Sequence, residues 1–499
     1  MDDFEEPLAH RYLIPDDHPR EGFIQIDRPV RDLKVVNDPL CGLLPKWEGQ
    51  LNYAPAVWNE QAYKKSFEKF TYAPGVPSIK EAYPEHWEFA MWAVKKEFSF
   101  LRGSVILPMT ATEKNVESTP AFPKAFWYKT EEAYLKDFGF KYYLEQYEAI
   151  KKGARPVPLW YMFLKKEVLK KKKIDDNDIR QILCADPAYS RIGLMFEQDQ
   201  NTRMKNATEK HHGQCGWTPF EGGWNRRMKR LERDGNKYIE MDWSRFDGTI
   251  PNEVFHAIKG IRFGFLSKEY RTPENKSIYD WYCQHLTNRL VLLPSGEVTK
   301  QINGNPSGQV STTMDNNMVN TFCQAFEFMF VNDLKLEDAK REWAYYDTIV
   351  YGDDRVSSTP VVPTDYCEKV IKMYREIFGM WVKPENVKIT DTIEGVSFCG
   401  FTNVLVSGRY LPVPSNCEKL VAALVTPVRK LPDLESLSGK ITSYKILMHN
   451  LPDTDPAKQF VLRCELSINK HLRAREIEPI SFTREMLDYL WRGGPKMSS

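Results

Sequence analysis

The sequence predicts an α+β fold built from more than one subdomain. Three observations carry that prediction. At 499 residues the chain exceeds what one hydrophobic core ordinarily serves, so two or three subdomains are expected. The stretches 79–163 and 415–492 follow a helical rhythm, whereas the middle alternates short β-branched and aromatic runs with helices. One pair of those runs, 344–350 and 355–362, is joined so tightly that it reads as an antiparallel hairpin.

Taken in order, the first 77 residues are proline-spotted and irregular, with scattered aromatics such as Trp47, Tyr53, Trp58 and Tyr72. They read as an extended segment lying over other parts of the molecule. A lysine-rich run at 165–173 leads into the strand-like Ile179-Arg180-Gln181-Ile182-Leu183, giving a pinned basic ribbon. A helix over 225–233 is expected to stop at Asp234-Gly235-Asn236, with Gly235 as its C-terminal cap. A strand follows over 237–241 and ends at Asp242. Ser307 is a natural N-cap for a helix over 310–330, with Gly308 loosening its first turn. After the hairpin come four amphipathic helical runs, at 415–430, 435–450, 456–472 and 482–492, and a tail, 493–499, expected to fray.

Composition narrows the function classes. With 42% hydrophobic, 13% aromatic and 27% charged residues the chain is ordinarily globular, which excludes wholesale disorder. A net charge of +1 means that any polyanion site must come from local clustering of lysine and arginine. The nine cysteines are scattered singly, which fits a reducing compartment and argues against a disulfide framework or a thiolate zinc site. No run approaches the ~18 apolar residues that a membrane span needs. The acidic start is unlike a signal peptide. A soluble chain is expected, one that could still dock on membranes through partners.

The chemistry concentrates in four places. Asp353 and Asp354 follow Tyr351-Gly352 at the hairpin tip, where adjacent carboxylates repel unless a cation sits between them. A solvated turn explains the same residues equally well. Asp242, at a strand end with Asp247 five residues on, could complete a metal site with Asp353, since two-metal phosphoryl transfer needs bridging carboxylates, although such spacing is common and ordinary surface turns explain it more readily. Thr312 and Asn316 lie at i and i+4 on a helix that also carries Asn317 and Asn320, and such stacked amides and hydroxyls suit a ribose hydroxyl. The run 165–173 holds six lysines against one glutamate and could grip triphosphate and backbone, although such runs are most often solvated faces.

In chain order these segments read KKEVLKKKKIDDNDIRQI, DWSRFDGT, SGQVSTTMDN, YGDD and FCGF. The series resembles motifs F, A, B, C and E of the RNA-dependent RNA polymerases of positive-strand RNA viruses. The wording DWSRFDGTIP, GNPSGQVSTTMDNNMVNTF and YGDDR is most similar to the astrovirus polymerases within the picornavirus-like group. The resemblance implies a right-hand polymerase, encircled by its N-terminal segment. Its fingers would span 1–205 and 251–300, its antiparallel palm 206–250 and 301–407, and its helical thumb 408–499. It implies two magnesium ions, replaceable by manganese, on Asp242 and Asp353, with Asp354 as a supporting carboxylate.

By the same resemblance Asp247 and Asn316 would read the sugar of the incoming nucleotide, held by Ser307 and Thr312. Lys165, Lys173 and Arg180 would contact template and triphosphate, and Lys388 would protonate the pyrophosphate. Phe398, Cys399 and Gly400 would support the primer strand, with Gly308 also at the RNA. Ser118 and Thr119 could touch the entering template, though a plain proline turn explains them equally well. The implied partners are template and nascent RNA, ribonucleoside triphosphates, a small protein primer and other viral replication proteins. The implied place is the host cytoplasm, at membrane-associated replication complexes. A reverse transcriptase and a non-catalytic RNA-binding replication protein are the rival readings.

Overall fold

Four strands carry the hairpin, all antiparallel, in the order Asp347–Tyr351, Asp354–Thr359, Lys237–Glu240 and Lys388–Thr390. They belong to a computed structural model that describes residues 12–26 and 33–494. Side chains alternate across the sheet as strand geometry demands. Tyr238, Ile349 and Val356 face a core with Trp224, Met228 and Leu231 of the Gly223–Leu231 helix, whereas Ile239 joins the main core on the other face. In that main core the Thr312–Val331 helix packs on the Pro84–Glu97 helix.

A second sheet has five strands, in the order Gly22–Phe23, Glu297–Gln301, Arg289–Leu292, Leu159–Leu164 and Gln181–Cys184. Only Leu159–Leu164 and Arg289–Leu292 run parallel in it. At the C-terminal end the helices Cys417–Val425, Leu434–Met448 and Pro456–Ala474 enclose their own core around Leu437, Phe460 and Ile468. The N-terminal segment ties the regions together. Gly22–Phe23 pairs with Glu297–Gln301, Leu40, Leu43 and Trp47 pack on the C-terminal core, and Tyr53–Pro55 pairs with Val168–Lys170.

Several local expectations need correction. The Gly223–Leu231 helix ends on an extended Glu232, so Gly235 (φ +82°) serves the turn into the next strand and does not cap the helix. The lysine run is not one ribbon: Val168–Lys170 is a strand, but Lys171–Asp175 is a short helix. Ser307 is not an N-cap, because the helix begins at Thr312, after Ser311. The hairpin's first strand starts at Asp347, behind a 3-10 turn at Trp343–Tyr345. The expected fraying of the tail falls on residues of which only Gly493 and Gly494 are described.

Candidate active site

The hairpin register pairs Tyr351 with Asp354, leaving Gly352 and Asp353 as a two-residue loop. Gly352 takes φ +63°, a conformation in which a side chain is strained, and a Cβ there would meet nothing within 4 Å. Its glycine is thus required by backbone conformation and not by protein crowding. The loop is clamped from the neighbouring helix: Gly352 N–H donates to Asn317 Oδ1 at 2.8 Å, and Asn320 Nδ2 donates to the Gly352 carbonyl at 3.0 Å. Deeper in, Arg355 turns inward and grips Glu327 of the same helix with two bonds, at 2.8 and 3.1 Å. Tyr366 and Tyr374 each donate to Glu327 at 2.8 Å, so that buried pair is saturated.

Asp242, Asp353 and Asp354 line one cleft, together with Glu240, Asn386, Lys388 and Ser397. Asp353 keeps an exposed side at the hairpin tip while protein crowds round its carboxyl in the cleft. Burial, with repulsion from Asp247 and Asp242, pushes its carboxyl up to about 6, against the pull of Arg180. Asp354 is pushed up to about 7, chiefly by burial, and by Asp353. The Cys399 N–H donates to Asp354 Oδ2 at 2.8 Å and works the other way. Asp242 accepts from Lys383 Nζ at 3.3 Å and Asn386 Nδ2 at 3.2 Å.

Among the described residues no three carboxylate, imidazole or thiolate side chains stand in a ready-made metal cage. The donor set nonetheless fits magnesium, which prefers oxygen ligands and is held by one or two carboxylates plus water and substrate phosphates. Carboxyls raised by burial and then by one another's charge are the electrostatic complement of a divalent cation. Asp242 would have to exchange Lys383 for the ion.

Beside this cleft the one-turn helix Phe246–Thr249 presents Asp247, after Arg245 in a left-handed conformation (φ +58°). Asn316 Nδ2 donates to Asp247 Oδ1 at 2.8 Å, so the expected Asp247–Asn316 pair is formed. Thr312 Oγ1 lies 2.9 Å from the Gln309 carbonyl and 3.1 Å from that of Pro306, which ties the loop to the helix start. Ser307 Oγ donates to the Gln181 carbonyl at 3.2 Å. A Cβ at Gly308 would stand 1.8 Å from the Leu183 carbonyl, so only glycine lets this loop lie against the Gln181–Cys184 strand.

Of Lys165, Lys173 and Arg180, Arg180 is the one that acts on the site carboxylates. It is bonded to Glu167 and feels both Asp247 and Asp353. Lys165 Nζ lies 3.7 Å from Glu167, and Lys173 is exposed on its short helix. Lys388 stands opposite Glu240 in the sheet and lines the cleft, but the lysine touching Asp242 is Lys383. Ser118 and Thr119 occupy a turn in which Ser118 Oγ bonds the Asn115 carbonyl and Thr119 Oγ1 accepts from Ala121 N–H. Phe398 is buried, and Cys399 and Gly400 (φ +51° and +79°) form the turn that reaches Asp354.

Sequence reasoning missed Lys69, whose ammonium is lowered by burial while Asp247 supports it and Arg180, Arg289 and Arg245 oppose it. A lone lysine in Glu68-Lys69-Phe70 gives no periodicity or motif by which to find it. Asn305, Gln309, Lys383 and Asn386 were missed as well, because amides and single lysines in loops are ordinary.

A family model for viral RNA-dependent RNA polymerase matches residues 7–452. The chain belongs to that family. It is 49% identical over 495 residues to the non-structural polyprotein 1AB of ovine astrovirus 1, covering 98% of this chain and 37% of the polyprotein. It is 50% identical over 493 residues to that of mink astrovirus 1, covering 98% and 36%. It therefore spans little more than a third of those curated relatives' length. Among solved structures it is similar to the Sicinivirus 3Dpol RNA dependent RNA polymerase, with TM-score 0.73, 18% identity, and coverage of 98% of this chain and 99% of that one. The fold is that of a right-hand viral polymerase.

Proposed function

We propose that this chain synthesises RNA on an RNA template from ribonucleoside triphosphates and so replicates and transcribes a positive-strand RNA virus genome. The supporting observation is a single cleft lined by Asp242, Asp353 and Asp354, bordered by the bonded pair Asp247–Asn316. In the reaction the 3′-hydroxyl oxygen of the growing RNA bonds to the α-phosphorus, and the bond from that phosphorus to the bridging oxygen of pyrophosphate breaks. Bound magnesium would supply charge neutralisation and a more acidic 3′-hydroxyl, on Asp242 and Asp353.

The remaining work falls to the chain. Arg180, with Lys165 and Lys173 behind it, offsets triphosphate charge. Asp247 and Asn316 present an acceptor and a donor to the 2′-hydroxyl, which is both donor and acceptor itself. Lys388 donates the proton that pyrophosphate needs to leave. Ser118 and Thr119 meet the template, and the 397–401 turn backs the primer strand. Relatives drawn from a polyprotein suggest sibling replication proteins as partners. No described helix is long and apolar enough to cross a membrane, and we place the protein at cytoplasmic replication membranes through such partners.

The test is extension on a homopolymer RNA template, with and without primer, in magnesium and then manganese. Ribonucleotide incorporation directed by the template supports the reading. Incorporation only of deoxyribonucleotides, or RNA binding without synthesis in either metal, overturns it.

A further inference from the structure

A file of buried amides runs behind Asp247. Asn316, which donates to Asp247, uses its Oδ1 to accept from Asn305 Nδ2 at 2.9 Å. Asn305 Oδ1 accepts from Gln309 Nε2 at 2.9 Å, and the same Nε2 donates to Asp315 Oδ2 at 2.8 Å. Gln309 Oε1 accepts from Ser311 N–H at 2.7 Å. Asp315 is itself immobilised. Lys259 Nζ and Arg262 Nη1 reach it at 2.6 and 2.8 Å, and Glu197 balances those cations from 2.7 and 3.7 Å away. Asn305 and Asp315 are 0% exposed, Asn316 3% and Gln309 7%.

The direction of every bond in this file is dictated by its ends. Asp315 and Asp247 are carboxylates that can only accept, and Ser311 N–H can only donate. Gln309 must therefore turn its NH2 to Asp315. Its second N–H then needs an acceptor, which only the oxygen of Asn305 supplies. Asn305 must next turn its NH2 toward Asn316, whose oxygen has to face it. That leaves the Asn316 NH2 pointing at Asp247, with a second N–H that meets no acceptor among the described residues. Reversing any amide sets oxygen against oxygen in a buried space, a costly arrangement.

We infer that Asn305 and Gln309 are positioning residues that set the orientation of the Asn316 amide and, through it, the preference for ribose over deoxyribose. This rests on the polymerase reading above. Asn305 is fully enclosed; its backbone N–H holds the Asp247 carbonyl at 2.7 Å and its Nδ2 lies 3.4 Å from the Thr312 carbonyl, so it is by way of Asn316 that its side chain reaches the Asp247 carboxylate. Ribose selection is thus anchored in the buried Lys259–Arg262–Asp315 cluster and relayed along the loop by side-chain amides.

The test is single-nucleotide incorporation by the full chain on a primed RNA template, comparing a ribonucleotide, its 2′-deoxy form and its 3′-deoxy form. Asn305→Asp offers Asn316 only an acceptor, so Asn316 turns over and meets Asp247 with its oxygen. Gln309→Met keeps the bulk and loses both donors. Either variant is expected to lower the kcat/KM preference for ribose over 2′-deoxyribose about tenfold, the worth of one ordinary hydrogen bond. The change is expected in KM for the ribonucleotide and for the 3′-deoxy form, with kcat and the 2′-deoxy parameters unmoved.

Equal losses with all three nucleotides, or an unchanged preference, would overturn the inference. So would loss of cooperative melting in both variants, since that assigns the amides to the fold and not to the sugar. If the unaltered chain incorporates no ribonucleotide, the polymerase reading fails; if it prefers ribose and both variants do so equally, only the relay fails.

Discussion

The Thr312–Val331 helix serves two neighbours from two parts of its length, and the contrast between them bears on how catalysis and substrate choice are divided. From Asn317 onward, Asn317, Asn320, Gln324 and Glu327 hold the hairpin, from its Gly352 tip down to the Arg355 guanidinium. In the turn before, Thr312 and Asn316 hold the Asn305–Gln309 loop and Asp247. On the proposed function, the hairpin-holding set would fix where the carboxylates stand. The loop-holding set would fix what sugar can sit beside them. Damage to the first should depress every incorporation alike, whereas damage to the second should change relative rates.

The largest break is expected at Glu327→Ala, which strands the buried Arg355 charge and two tyrosine hydroxyls. We expect a loss of about 3–5 kcal/mol in unfolding free energy, read by denaturant titration. A loss below about 1 kcal/mol would show that the pair does not brace the hairpin. Next comes the double variant Asn317→Ala with Asn320→Ala, which frees both backbone groups of Gly352. A misplacement near 1 Å costs on the order of a hundredfold, so kcat should fall by about that factor with ribo- and deoxyribonucleotides equally. A selective loss would erase the distinction between the two sets.

Smaller effects sort the two lysines of the cleft. Lys388→Ala should lower kcat at least about tenfold and abolish the alkaline limb of its pH profile, the signature of a lost general acid. Lys383→Ala should instead shift the magnesium dependence, because it releases Asp242. Interchanged results would move the acid to Lys383. The smallest effect concerns stability without metal. The folded-state carboxyls of Asp353 and Asp354 titrate near 6 and 7, above the ordinary range, so they cost the fold nothing at low pH and destabilise it as pH rises through those values. Added magnesium should raise Tm by a few degrees at about pH 8 and hardly at all at about pH 5. An equal rise at both would detach the ion from these carboxyls.

What the sequence made legible was whatever repeats a chemical pattern. The α+β class and the helical C-terminal region followed from periodicity. The pairing of Asp247 with Asn316 was implied by family resemblance, and the structure forms it. Exact boundaries were less legible, since Ser307 and Gly235 carry the residue types of caps but are drawn into a loop contact and a strand turn. The resemblance supplied roles for Lys388 and Arg180, yet it could not foresee that Lys383 touches Asp242. Lys69 and the Asn305–Gln309 file depend on chain segments hundreds of residues apart or on loop geometry, which leaves no local signal. Asn317 and Asn320 were visible as polar helix residues, but their target was not, because nothing local in the sequence shows that the Gly352 loop lies against them.

Asp353→Ala, assayed in parallel for primer extension and for RNA affinity, separates nucleotide addition in the Asp353 cleft from the holding of RNA. Extension is expected below about one-thousandth of the unaltered chain, with RNA affinity within about twofold. Near-normal extension by Asp353→Ala, in a protein that melts as the unaltered chain does, would show that nucleotide addition does not depend on this carboxylate.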